Sequence, residues 1–579
     1  MRFHVLATDY DGTIAHHGQV DERTVASLKR LLASGRRLVL VTGRELPELL
    51  TVLPEIDLFE WVVAENGGLL YRPATREEIP LGEAPPARFV EVLTARGVEP
   101  ISVGRSIVAT WEPHETTVLE TIRDLGLELQ VIFNKGAVMI LPAGVNKASG
   151  LRAALDQMGI SPHNVVGVGD AENDHALLRG CEIGAAVENA LPSVKKTADI
   201  VLTLDHGAGV SELIDRMVAT DLAAESRAIE RHQLPLGETG GKPVPLSPYG
   251  HNILICGPSA SGKSTVATRI VESLLEKGYQ FCLVDPEGDY SNVEGPMHFG
   301  GPDASPVPSE VIATLERPQS SAVVTLTGMS IADRPPLFTS LLSPILDLRG
   351  RTGHPHWLLL DEAHHLMPAD WKRPEGLLPE RLVNFLLITV HPELLAPSVL
   401  KQVDTFIAVG PTAAETLKQF AEAAKLDTPS TDGAPVSQGE VLLWDIRSKA
   451  APRRVKVTPA KTERRRHRRK YAEGDLPEDR SFYFTGPEKK MRLRAQNLML
   501  FNQLGEGVDD ETWSYHLKRG EYSQWCRTAI KDENLADAVA AVEQAGRLSP
   551  QESRKQVRAA IEADYTVPAS PPLPVPGAG

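Results

Sequence analysis

The stretch "VLATDYDGTIA", residues 5–15, decides the first half of the fold. It begins with an apolar run typical of a buried strand and continues into two aspartates separated by one residue, Asp9 and Asp11. Gly12 allows the chain to turn sharply directly after them. In an open α/β sheet, ligands bind beyond the carboxyl ends of the strands. The stretch therefore predicts a strand that carries a functional site where it ends.

The composition of the chain is that of a globular protein with several domains. Its 579 residues exceed what one hydrophobic core usually supports, so we expect three or four domains. Hydrophobic residues make up 42% of the chain and charged residues 24%, as in ordinary globular proteins. The formal net charge of −15 argues against a protein that coats nucleic acid or binds an anionic membrane over its whole surface.

The cysteines and the apolar segments indicate a cytoplasmic protein. The four cysteines lie far apart, with no C-x-x-C motif and no zinc spacing, which fits a reducing compartment. No apolar run approaches the length of a membrane span, about 18 residues, and Met1 leads directly into a strand rather than a signal peptide. We therefore expect no membrane partner and leave open whether the chain forms a homo-oligomer.

Residues 1–218 predict a doubly wound α/β fold with an insertion. Residues 1–82 and 146–218 alternate short apolar strands with amphipathic helices, which is typical of a parallel sheet covered on both faces. The pattern breaks at residues 83–145, which we interpret as a small α+β cap. Residues 219–250 are rich in Gly and Pro, and we interpret them as a linker.

The second half of the chain predicts another α/β domain followed by a smaller one. Residues 251–458 contain seven apolar segments typical of strands, alternating with helical patterns. Residues 459–470 are interpreted as a basic linker, and residues 471–565 as a small, mostly helical accessory domain with an aromatic core. The Pro-rich residues 566–579 predict an extended, disordered tail.

Three further segments place polar side chains at the functional edge of the first sheet. "LVTGR" ends the next strand with Thr42 and Gly43, whose hydroxyl and backbone N–H can hold a phosphoryl oxygen. Lys147 begins a helix, where its charge can stabilise a transferring phosphoryl group. The third segment, "VGVGDAENDHALL", supplies further ligands for a metal ion and for phosphate: Asp170, Asn173 and Asp174.

The two aspartates after the first strand suit phosphoryl transfer. One carboxylate can attack phosphorus and form an aspartyl-phosphate, while its neighbour protonates the leaving oxygen. Two close carboxylates repel each other, so a cation is needed, and Mg²⁺ prefers such oxygen ligands. The alternative interpretation of "DYDGT" is an Asx-turn at a strand end, and the three further segments argue against it.

The four segments together resemble the haloacid dehalogenase (HAD) superfamily, in particular its Cof-like and sucrose-phosphatase-like branch. The resemblance covers residues 1–218, and in that branch the cap lies between the Thr and Lys motifs, as residues 83–145 do here. It implies a Rossmann-like core and a phosphatase that binds a small phosphorylated acid or sugar, such as phosphoglycolate. It also implies roles for named residues: Asp9 as nucleophile; Asp11 as general acid and base; Thr42 and Lys147 on phosphate; Asp9, the Asp11 carbonyl and Asp170 on Mg²⁺. The position of the other residues at strand ends adds Gly43 and Asn173 as phosphate ligands and Asp174 as a metal ligand.

A second phosphate-binding motif begins the second α/β domain. "GPSASGKS", residues 257–264, fits the P-loop pattern G-x-x-x-x-G-K-[ST] between a predicted strand and a predicted helix. Backbone N–H groups would hold the phosphates, Lys263 would contact the β- and γ-phosphates, and Ser264 would bind Mg²⁺. The sequence therefore predicts an ATP site formed by Gly257, Pro258, Ser259, Ala260, Ser261, Gly262, Lys263, Ser264, Thr265 and Asp361.

An acidic pair in this domain predicts ATP hydrolysis. "HWLLLDEAHH" ends a strand with Asp361, which can hold Mg²⁺ through water, and Glu362, which can polarise the attacking water as a catalytic residue. The alternative interpretation is a helix-capping acidic pair. With "LVDPEGDYS", the segment resembles the HerA/FtsK-type motor ATPases. In that family "TVHPE" matches Thr-Gln-Arg-Pro, so Val390 and His391 depart from the pattern and weaken the case for motor coupling.

Three functions remain open for the combined chain. The first is a phosphatase fused to a HerA-like ATPase. The second is the layout of a polynucleotide kinase-phosphatase, against which Glu362 argues, because a kinase needs no water-activating residue. In the third, the P-loop domain binds ATP only as a regulatory switch. The basic run "RRRHRRK", residues 464–470, predicts either a contact with nucleic acid or a solvated linker.

Overall fold

The chain folds into two compact units, Met1–Thr458 and Pro459–Gly579. Three of the sequence predictions lie outside the described residues: the P-loop residues Ser259 and Ala260, the basic run 464–470, and the tail 566–579. The computed structural model describes residues 1–258, 261–371, 381–431, 433–448, 450–461, 476, 481–488, 491–530, 532–546 and 548–565.

The first large sheet lies within residues 1–232. The strands of this region are β1 (Val5–Thr8), β2 (Arg37–Val41), β3 (Trp61–Ala64), β4 (Leu69–Arg72), β5 (Glu77–Pro80), β6 (Ser102–Val103), β7 (Val108–Trp111), β8 (Leu129–Asn134), β9 (Ala137–Pro142), β10 (Val165–Gly169), β11 (Ile183–Ala186) and β12 (Ile200–Val201). Eight of them form a mixed sheet in the order β12-β11-β10-β1-β2-β3-β4-β5. From β12 to β3 the strands run parallel, and β4 is antiparallel to both of its neighbours.

Helices cover both faces of this sheet, which confirms the predicted doubly wound α/β fold. The helices of this region are α1 (Glu22–Ala33), α2 (Leu46–Val52), α3 (Ala87–Ala95), α4 (Glu115–Leu125), α5 (Lys147–Met158), α6 (His175–Gly180), α7 (Pro192–Thr197), α8 (His206–Thr220) and α9 (Ala223–Ala228). On one face, Leu28 of α1 and Val210 of α8 belong to the buried core. On the other, Leu151 of α5 and Leu177 of α6 do so. Water is therefore excluded from both sides of β1 and β10.

Residues 83–145 contain a small sheet of their own. Strands β6–β9 pair antiparallel in the order β6-β7-β9-β8. Phe89 of α3 and Val118 of α4 pack against Val138 and Ile140 of β9. This insertion, which we call the cap, therefore has its own small hydrophobic core.

The second large sheet has eleven strands. They are β13 (Leu234–Thr239), β14 (Lys242–Leu246), β15 (Ile253–Cys256), β16 (Phe281–Asp285), β17 (Met297–Phe299), β18 (Ala322–Thr325), β19 (Trp357–Leu360), β20 (Phe385–Thr389), β21 (Thr405–Val409), β22 (Glu440–Asp445) and β23 (Arg453–Val457). Their order is β14-β13-β23-β22-β21-β15-β20-β19-β16-β18-β17, parallel from β21 to β17. Each of the seven segments predicted as strands is present. The accompanying helices are α10 (Lys263–Glu276), α11 (Pro308–Leu315), α12 (Arg334–Thr352), α13 (Pro397–Leu400) and α14 (Ala413–Ala424).

The interpretation of residues 219–250 as a linker is wrong. Helix α9 and a turn of 3₁₀ helix at Glu230–His232 lead into the hairpin β13–β14, and β13 pairs antiparallel with β23. The hairpin buries alternate apolar residues, Leu234 and Leu236 on one strand and Val244 and Leu246 on the other. The prolines of β14 lie on the edge strand of the sheet, and Pro235 of β13 lies at a shift in the strand register, which are places where proline is tolerated. The alternation of apolar residues therefore indicates the structure of this segment better than its Gly- and Pro-rich composition does.

The unit Pro459–Gly579 combines a two-stranded sheet with helices. Phe484, Trp513 and Tyr522 lie in its buried core, and Trp513 Nε1 donates a hydrogen bond to Ser553. Within the described residues of the whole chain, no helix has the length and apolar character needed to cross a bilayer. The elements of this unit are β24 (Phe482–Phe484), β25 (Leu493–Ala495), α15 (Leu498–Gly507), α16 (Asp510–Lys518), α17 (Glu521–Trp525), a π-helical turn (Cys526–Ile530), α18 (Glu533–Gln544) and α19 (Pro550–Tyr565).

The burial of the β13–β14 hairpin predicts the effect of a core substitution there. Leu236 is 1% exposed, so Leu236→Ala should lower the free energy of unfolding by about 2–5 kcal/mol. Denaturant unfolding followed by circular dichroism measures this change. The matched control is Leu394→Ala, because that leucine is 43% exposed and its truncation should change stability by no more than about 0.5 kcal/mol. Equal effects of the two substitutions would contradict the packing described for the hairpin.

Candidate functional site

Three buried carboxylates and one buried ammonium lie together at the edge of the first sheet. Asp9 follows β1, Asp170 follows β10, and Asp174 ends the next turn of 3₁₀ helix. Because β1 and β10 are parallel neighbours, their carboxyl ends bring these residues together. One oxygen of each carboxylate lies within 4.8 Å of the others. Lys147, the first residue of α5, completes the group, which we call the acidic cluster.

The Lys147 ammonium bridges two of the carboxylates. Its Nζ donates hydrogen bonds to Asp9 Oδ1 at 2.5 Å and to Asp174 Oδ1 at 2.6 Å. Asn146 caps the helix by accepting hydrogen bonds from the backbone N–H groups of Ala148 and Ser149. This cap fixes the start of α5, and with it the position of the lysine.

Two glycines allow α5 to approach the sheet closely enough for Lys147 to contact the carboxylates. Gly67 has a φ of +105°, and a Cβ there would lie 2.0 Å from the carbonyl oxygen of Asn146. A Cβ on Gly150 would lie 2.5 Å from Val63. Any side chain at either position would therefore push the first turn of the helix, and Lys147, away from the carboxylates.

Hydrogen bonds hold two of the carboxylates in place. Asp174 Oδ2 accepts from the backbone N–H groups of Asp170 at 2.9 Å and of Ala171 at 3.0 Å. Thr13 Oγ1 donates to Asp170 Oδ1 at 3.1 Å. Gly12 has a φ of +84°, and a Cβ there would lie 2.4 Å from Asp170 Oδ2. The turn after β1 thus packs directly against Asp170.

Burial makes the acidic cluster a strong site for a cation. Burial raises the pKa of Asp9 to about 8, against the opposing charge of Lys147, and Asp174 and Asp170 raise it further. Burial also raises the pKa of Asp170. Burial alone would lower the pKa of Lys147, but Asp174 and Asp9 hold it above its usual range. Three carboxylate oxygens in one place are the donor set that Mg²⁺ prefers, so the residues fit this ion.

The Asp11 carboxylate lies outside the acidic cluster, whereas the metal prediction for this residue concerns only its backbone carbonyl. Its two carboxylate oxygens accept hydrogen bonds from Arg44, at 2.6 Å from Nε and 2.7 Å from Nη2. The side chain is 43% exposed, because the turn formed by residues 10–15 directs it away from the sheet. The structure therefore separates the side chains of the two aspartates that the sequence presents as a pair.

The remaining predicted phosphate ligands surround the same edge. Thr42 is buried at the end of β2, and its hydroxyl accepts the backbone N–H of Arg44 at 3.1 Å. Asn173 Nδ2 donates to Asn66 Oδ1 at 3.0 Å, while Asn173 Oδ1 is buried without a hydrogen-bond partner among the described residues. A Cβ on Gly43 would lie 3.0 Å from Met139 of the cap, so the cap covers this side of the site.

Sequence reasoning missed two cations of the site. Arg44 stands in "LVTGR", and its position beside Asp11 follows from the turns after β1 and β2. Lys135 lies at the tip of the β8–β9 hairpin, with a φ of +47°, and its Nζ reaches Asp170 Oδ2 at 2.6 Å. Because Lys135 belongs to the cap, no spacing within a core motif could have revealed this contact.

The predicted nucleotide site lies where β15 leads into α10. Gly262 has a φ of +102°, and a Cβ on Gly257 would lie 2.2 Å from the carbonyl oxygen of Val409. Lys263 is buried, and its Nζ donates to the carbonyl oxygen of Pro258 at 3.1 Å. Ser264 Oγ donates to Asp289 Oδ2 at 3.3 Å. The P-loop segment 257–264 therefore lies beside the segment 283–291, which contains Asp289.

Acidic residues at the ends of neighbouring strands face this loop. Asp285 ends β16 and accepts hydrogen bonds from the backbone N–H groups of Gly288, Asp289 and Tyr290. Asp361 follows β19, and burial together with Asp285 and Glu362 raises its pKa to about 8. Burial also raises the pKa of Glu362, a residue with a strained φ of +39°. This second group of carboxylates therefore also favours a nearby cation.

The segment 389–393 departs from the motor-ATPase pattern at His391, and a different histidine contacts Glu362. His391 is exposed, and its Nδ1 lies 3.3 Å from Glu393. His364 instead contacts Thr389 Oγ1 at 3.0 Å, with its Nδ1 3.4 Å from Glu362. Burial lowers the pKa of His364 to about 4, so this ring is neutral at pH 7. His364 is a contact of Glu362 that the sequence analysis did not assign.

Comparison with known proteins identifies the family of the N-terminal region of the chain. A sequence profile of the haloacid dehalogenase-like hydrolases matches residues 6–99 and 110–214. The phosphoglycolate phosphatase of Methanothermobacter thermautotrophicus is 30% identical over 222 residues, which are 37% of this chain and 98% of that protein. Phosphoglycolate phosphatase 2 of Saccharolobus solfataricus is 29% identical over 226 residues, covering 38% of this chain and 95% of that protein.

A solved structure matches a similar share of the chain. The crystal structure of a haloacid dehalogenase-like hydrolase from Bacteroides thetaiotaomicron is 20% identical, with a TM-score of 0.34, and covers 37% of this chain and 99% of that one. The match of residues 6–99 and 110–214 contains all four residues of the acidic cluster. Through this region, the chain belongs to the haloacid dehalogenase-like hydrolases.

Proposed function

We propose that residues 1–218 form a Mg²⁺-dependent phosphatase that hydrolyses a small phosphorylated acid through an aspartyl-phosphate. The observation that carries the proposal is the buried Asp9 carboxylate, held 2.5 Å from the Lys147 ammonium at the end of β1. A carboxylate fixed by a cation at a sheet edge is positioned as a nucleophile for phosphorus. The relatives named phosphoglycolate phosphatases support this reaction class.

The first half of the reaction transfers the phosphoryl group to Asp9. An Asp9 oxygen forms a bond to phosphorus while the bond from phosphorus to the substrate oxygen breaks. The Lys147 ammonium and the Thr42 hydroxyl stabilise the phosphoryl oxygens, because both lie at the same sheet edge. When bound at Asp9, Asp170 and Asp174, Mg²⁺ supplies positive charge that offsets the charge of the carboxylates and the phosphate.

Asp11 moves the protons of both half-reactions. Its carboxylic acid gives a proton to the leaving oxygen, and its carboxylate later takes a proton from the water that attacks phosphorus. That attack releases inorganic phosphate and restores Asp9. Both Asp11 oxygens contact Arg44 in the structure, so proton transfer requires this contact to open. Arg44 is thus a positioning residue that holds Asp11 at the rim of the site.

The cap supplies the group that selects an acidic substrate. Lys135 Nζ contacts Asp170 at 2.6 Å, and the lysine side chain is 47% exposed. Mg²⁺ held at Asp170 would compete with this ammonium, and the exposed Lys135 side chain could then contact the substrate from the cap side. An ammonium there binds a substrate carboxylate, as in phosphoglycolate, through a charge-assisted hydrogen bond.

The nucleophile assignment predicts the effect of Asp9→Asn. An amide is a poor nucleophile, so phosphatase turnover should fall by more than about 10³-fold. Release of inorganic phosphate from phosphoglycolate in Mg²⁺ measures this loss. The control is Asp57→Asn, an exposed residue outside the acidic cluster, which should retain wild-type turnover. Turnover of Asp9→Asn close to that of wild type would refute the assignment.

The role of the cap predicts a substrate-dependent effect of Lys135→Met. Loss of one charge-assisted hydrogen bond should raise KM for phosphoglycolate about 10- to 100-fold, because such a bond contributes about 1.5–3 kcal/mol. KM for p-nitrophenyl phosphate, which has no carboxylate, should change little. Lys29→Met on the exposed face of α1 is the control. An equal change for both substrates would indicate that Lys135 acts on the phosphate or the metal site instead.

We further propose that residues 251–458 bind and hydrolyse ATP. The favouring observation is the placement of buried Lys263 and of Ser264 beside Asp289, Asp361 and Glu362. A lysine, a hydroxyl and carboxylates around a loop between strand and helix are the groups that nucleotide hydrolysis uses. Glu362 polarises the attacking water in this proposal. The regulatory switch and the kinase remain the competing interpretations. Nucleic acid is a partner only if this domain acts as a kinase or as a motor ATPase.

This second proposal predicts different effects for two substitutions. Lys263→Ala should weaken ATP binding about 10- to 100-fold, because a charge-assisted hydrogen bond to phosphate is lost. Glu362→Gln should bind ATP normally and release no phosphate from it. Fluorescent ATP binding and phosphate release measure the two steps, and Glu393→Gln, an exposed carboxylate, is the control.

The same assay separates the competing interpretations. Steady phosphate release from ATP alone supports the ATPase, and transfer only to a DNA 5′-hydroxyl supports the kinase. Binding without either reaction supports the regulatory switch. Normal hydrolysis by Glu362→Gln would contradict the role given to that residue.

A further inference from the structure

A second group of possible metal ligands lies at the opposite edge of the first sheet. His163 precedes β10, Glu182 precedes β11, and His232 lies in the turn that leads to the β13–β14 hairpin. One ligating atom of each lies within 4.8 Å of the others. The acidic cluster lies at the carboxyl ends of the strands, whereas this group lies at their amino ends. We call it the junction cluster, since Tyr279 and Lys277 of the second α/β region pack against it.

Backbone carbonyls determine which ring nitrogens carry hydrogen. His163 Nε2 lies 2.9 Å from the carbonyl oxygen of Lys277, and His232 Nε2 lies 2.8 Å from that of Glu182. Both nitrogens must donate, because a carbonyl oxygen only accepts. In the neutral ring the lone pair is therefore on Nδ1 of each histidine. Metal-binding histidines are commonly oriented in this way by a hydrogen bond from the other nitrogen.

The two Nδ1 atoms face the same carboxylate oxygen. Glu182 Oε2 lies 2.6 Å from Nδ1 of His163 and 3.6 Å from Nδ1 of His232. A lone pair on a neutral His163 ring would repel this oxygen at 2.6 Å, so the contact needs a cation. That cation is either a proton on His163 or a metal ion, which His232 Nδ1 could also bind.

Two residues hold the Glu182 carboxylate in place. Arg2 contacts Oε1, and the Tyr279 hydroxyl lies 2.9 Å from Oε1 and 3.1 Å from Oε2. These contacts orient the carboxylate with Oε2 toward the two histidines.

The junction cluster is accessible to an ion. A cleft of about 360 Å³ is lined by all three of its residues and by Lys277 and Tyr279. Two histidines and one glutamate are a ligand set that binds zinc with a fourth position open to water. Imidazole nitrogens favour such an ion over Mg²⁺, which prefers oxygen ligands.

We propose that His163, His232 and Glu182 bind one divalent transition-metal ion of the zinc class. Two ligands come from the first sheet, and the third comes from the segment that enters the second, so the ion ties these parts together. The site is independent of the proposed phosphatase, because it shares no residue with the acidic cluster. Arg2 and Tyr279 are positioning residues for Glu182.

Zinc binding to the full-length chain tests this site. Protein stripped of metal is dialysed against Zn²⁺ with excess Mg²⁺, which occupies oxygen-only sites. We expect one Zn²⁺ per chain in the wild type and an affinity more than about 10-fold lower in the double variant His163→Gln/His232→Gln. The matched control is His114→Gln/His298→Gln, whose rings also contact backbone carbonyls but belong to no such group. The control should bind zinc like the wild type.

A measurement on the wild type alone guards against a double variant that does not fold. Co²⁺ replaces Zn²⁺ in such sites, and four-coordinate Co²⁺ with nitrogen ligands absorbs visible light far more strongly than Co²⁺ bound to oxygen in octahedral geometry. We expect the strong absorption with one equivalent of Co²⁺, and its loss on addition of Zn²⁺. Weak absorption, or equal zinc binding by wild type and double variant, would overturn the proposal and leave a proton as the cation.

Discussion

The first half of the molecule depends on one buried ammonium between two buried carboxylates. Lys147 contacts both Asp9 and Asp174, and all three are less than 5% exposed. Removing one partner of such a group leaves an uncompensated charge and costs about 3–5 kcal/mol. The capped start of α5, the close approach at Gly67 and the adjacency of β1 and β10 all serve this contact. The proposed role of Asp9 therefore depends on the same arrangement that stabilises this edge of the sheet.

Much of this arrangement could be predicted from the sequence, because strand ends bring distant residues together by rule. Asp9 and Asp170 follow from that rule, and Lys147 follows from the predicted start of a helix at the same edge. Seven of the eleven strands of the second sheet follow from their apolar segments. The linker prediction for residues 219–250 failed because composition was weighed above the alternation that buries the hairpin. The contacts of Lys135 and of the junction cluster could not be predicted. They join the cap, the core and the second sheet, whose relative placement follows no motif.

The two large sheets arrange their charged residues in the same way. In each, carboxylates gather at the carboxyl ends of parallel strands, and a buried lysine at the start of a helix faces them. Burial raises the pKa of Asp9 and of Asp361 alike, so both sites favour a bound cation. At the opposite edge of the first sheet, Glu182 accepts from Tyr279 of the second α/β region. That edge is therefore a direct contact between the two α/β regions.

The central claim is that Asp9 becomes phosphorylated during turnover. Borohydride reduces an acyl phosphate of aspartate to homoserine, and peptide mass spectrometry locates the converted residue. The full-length chain is therefore quenched with borohydride while it hydrolyses phosphoglycolate in Mg²⁺. The account predicts homoserine at position 9 only when both substrate and Mg²⁺ are present. Conversion at another carboxylate, or an unmodified Asp9 during steady hydrolysis, would contradict it.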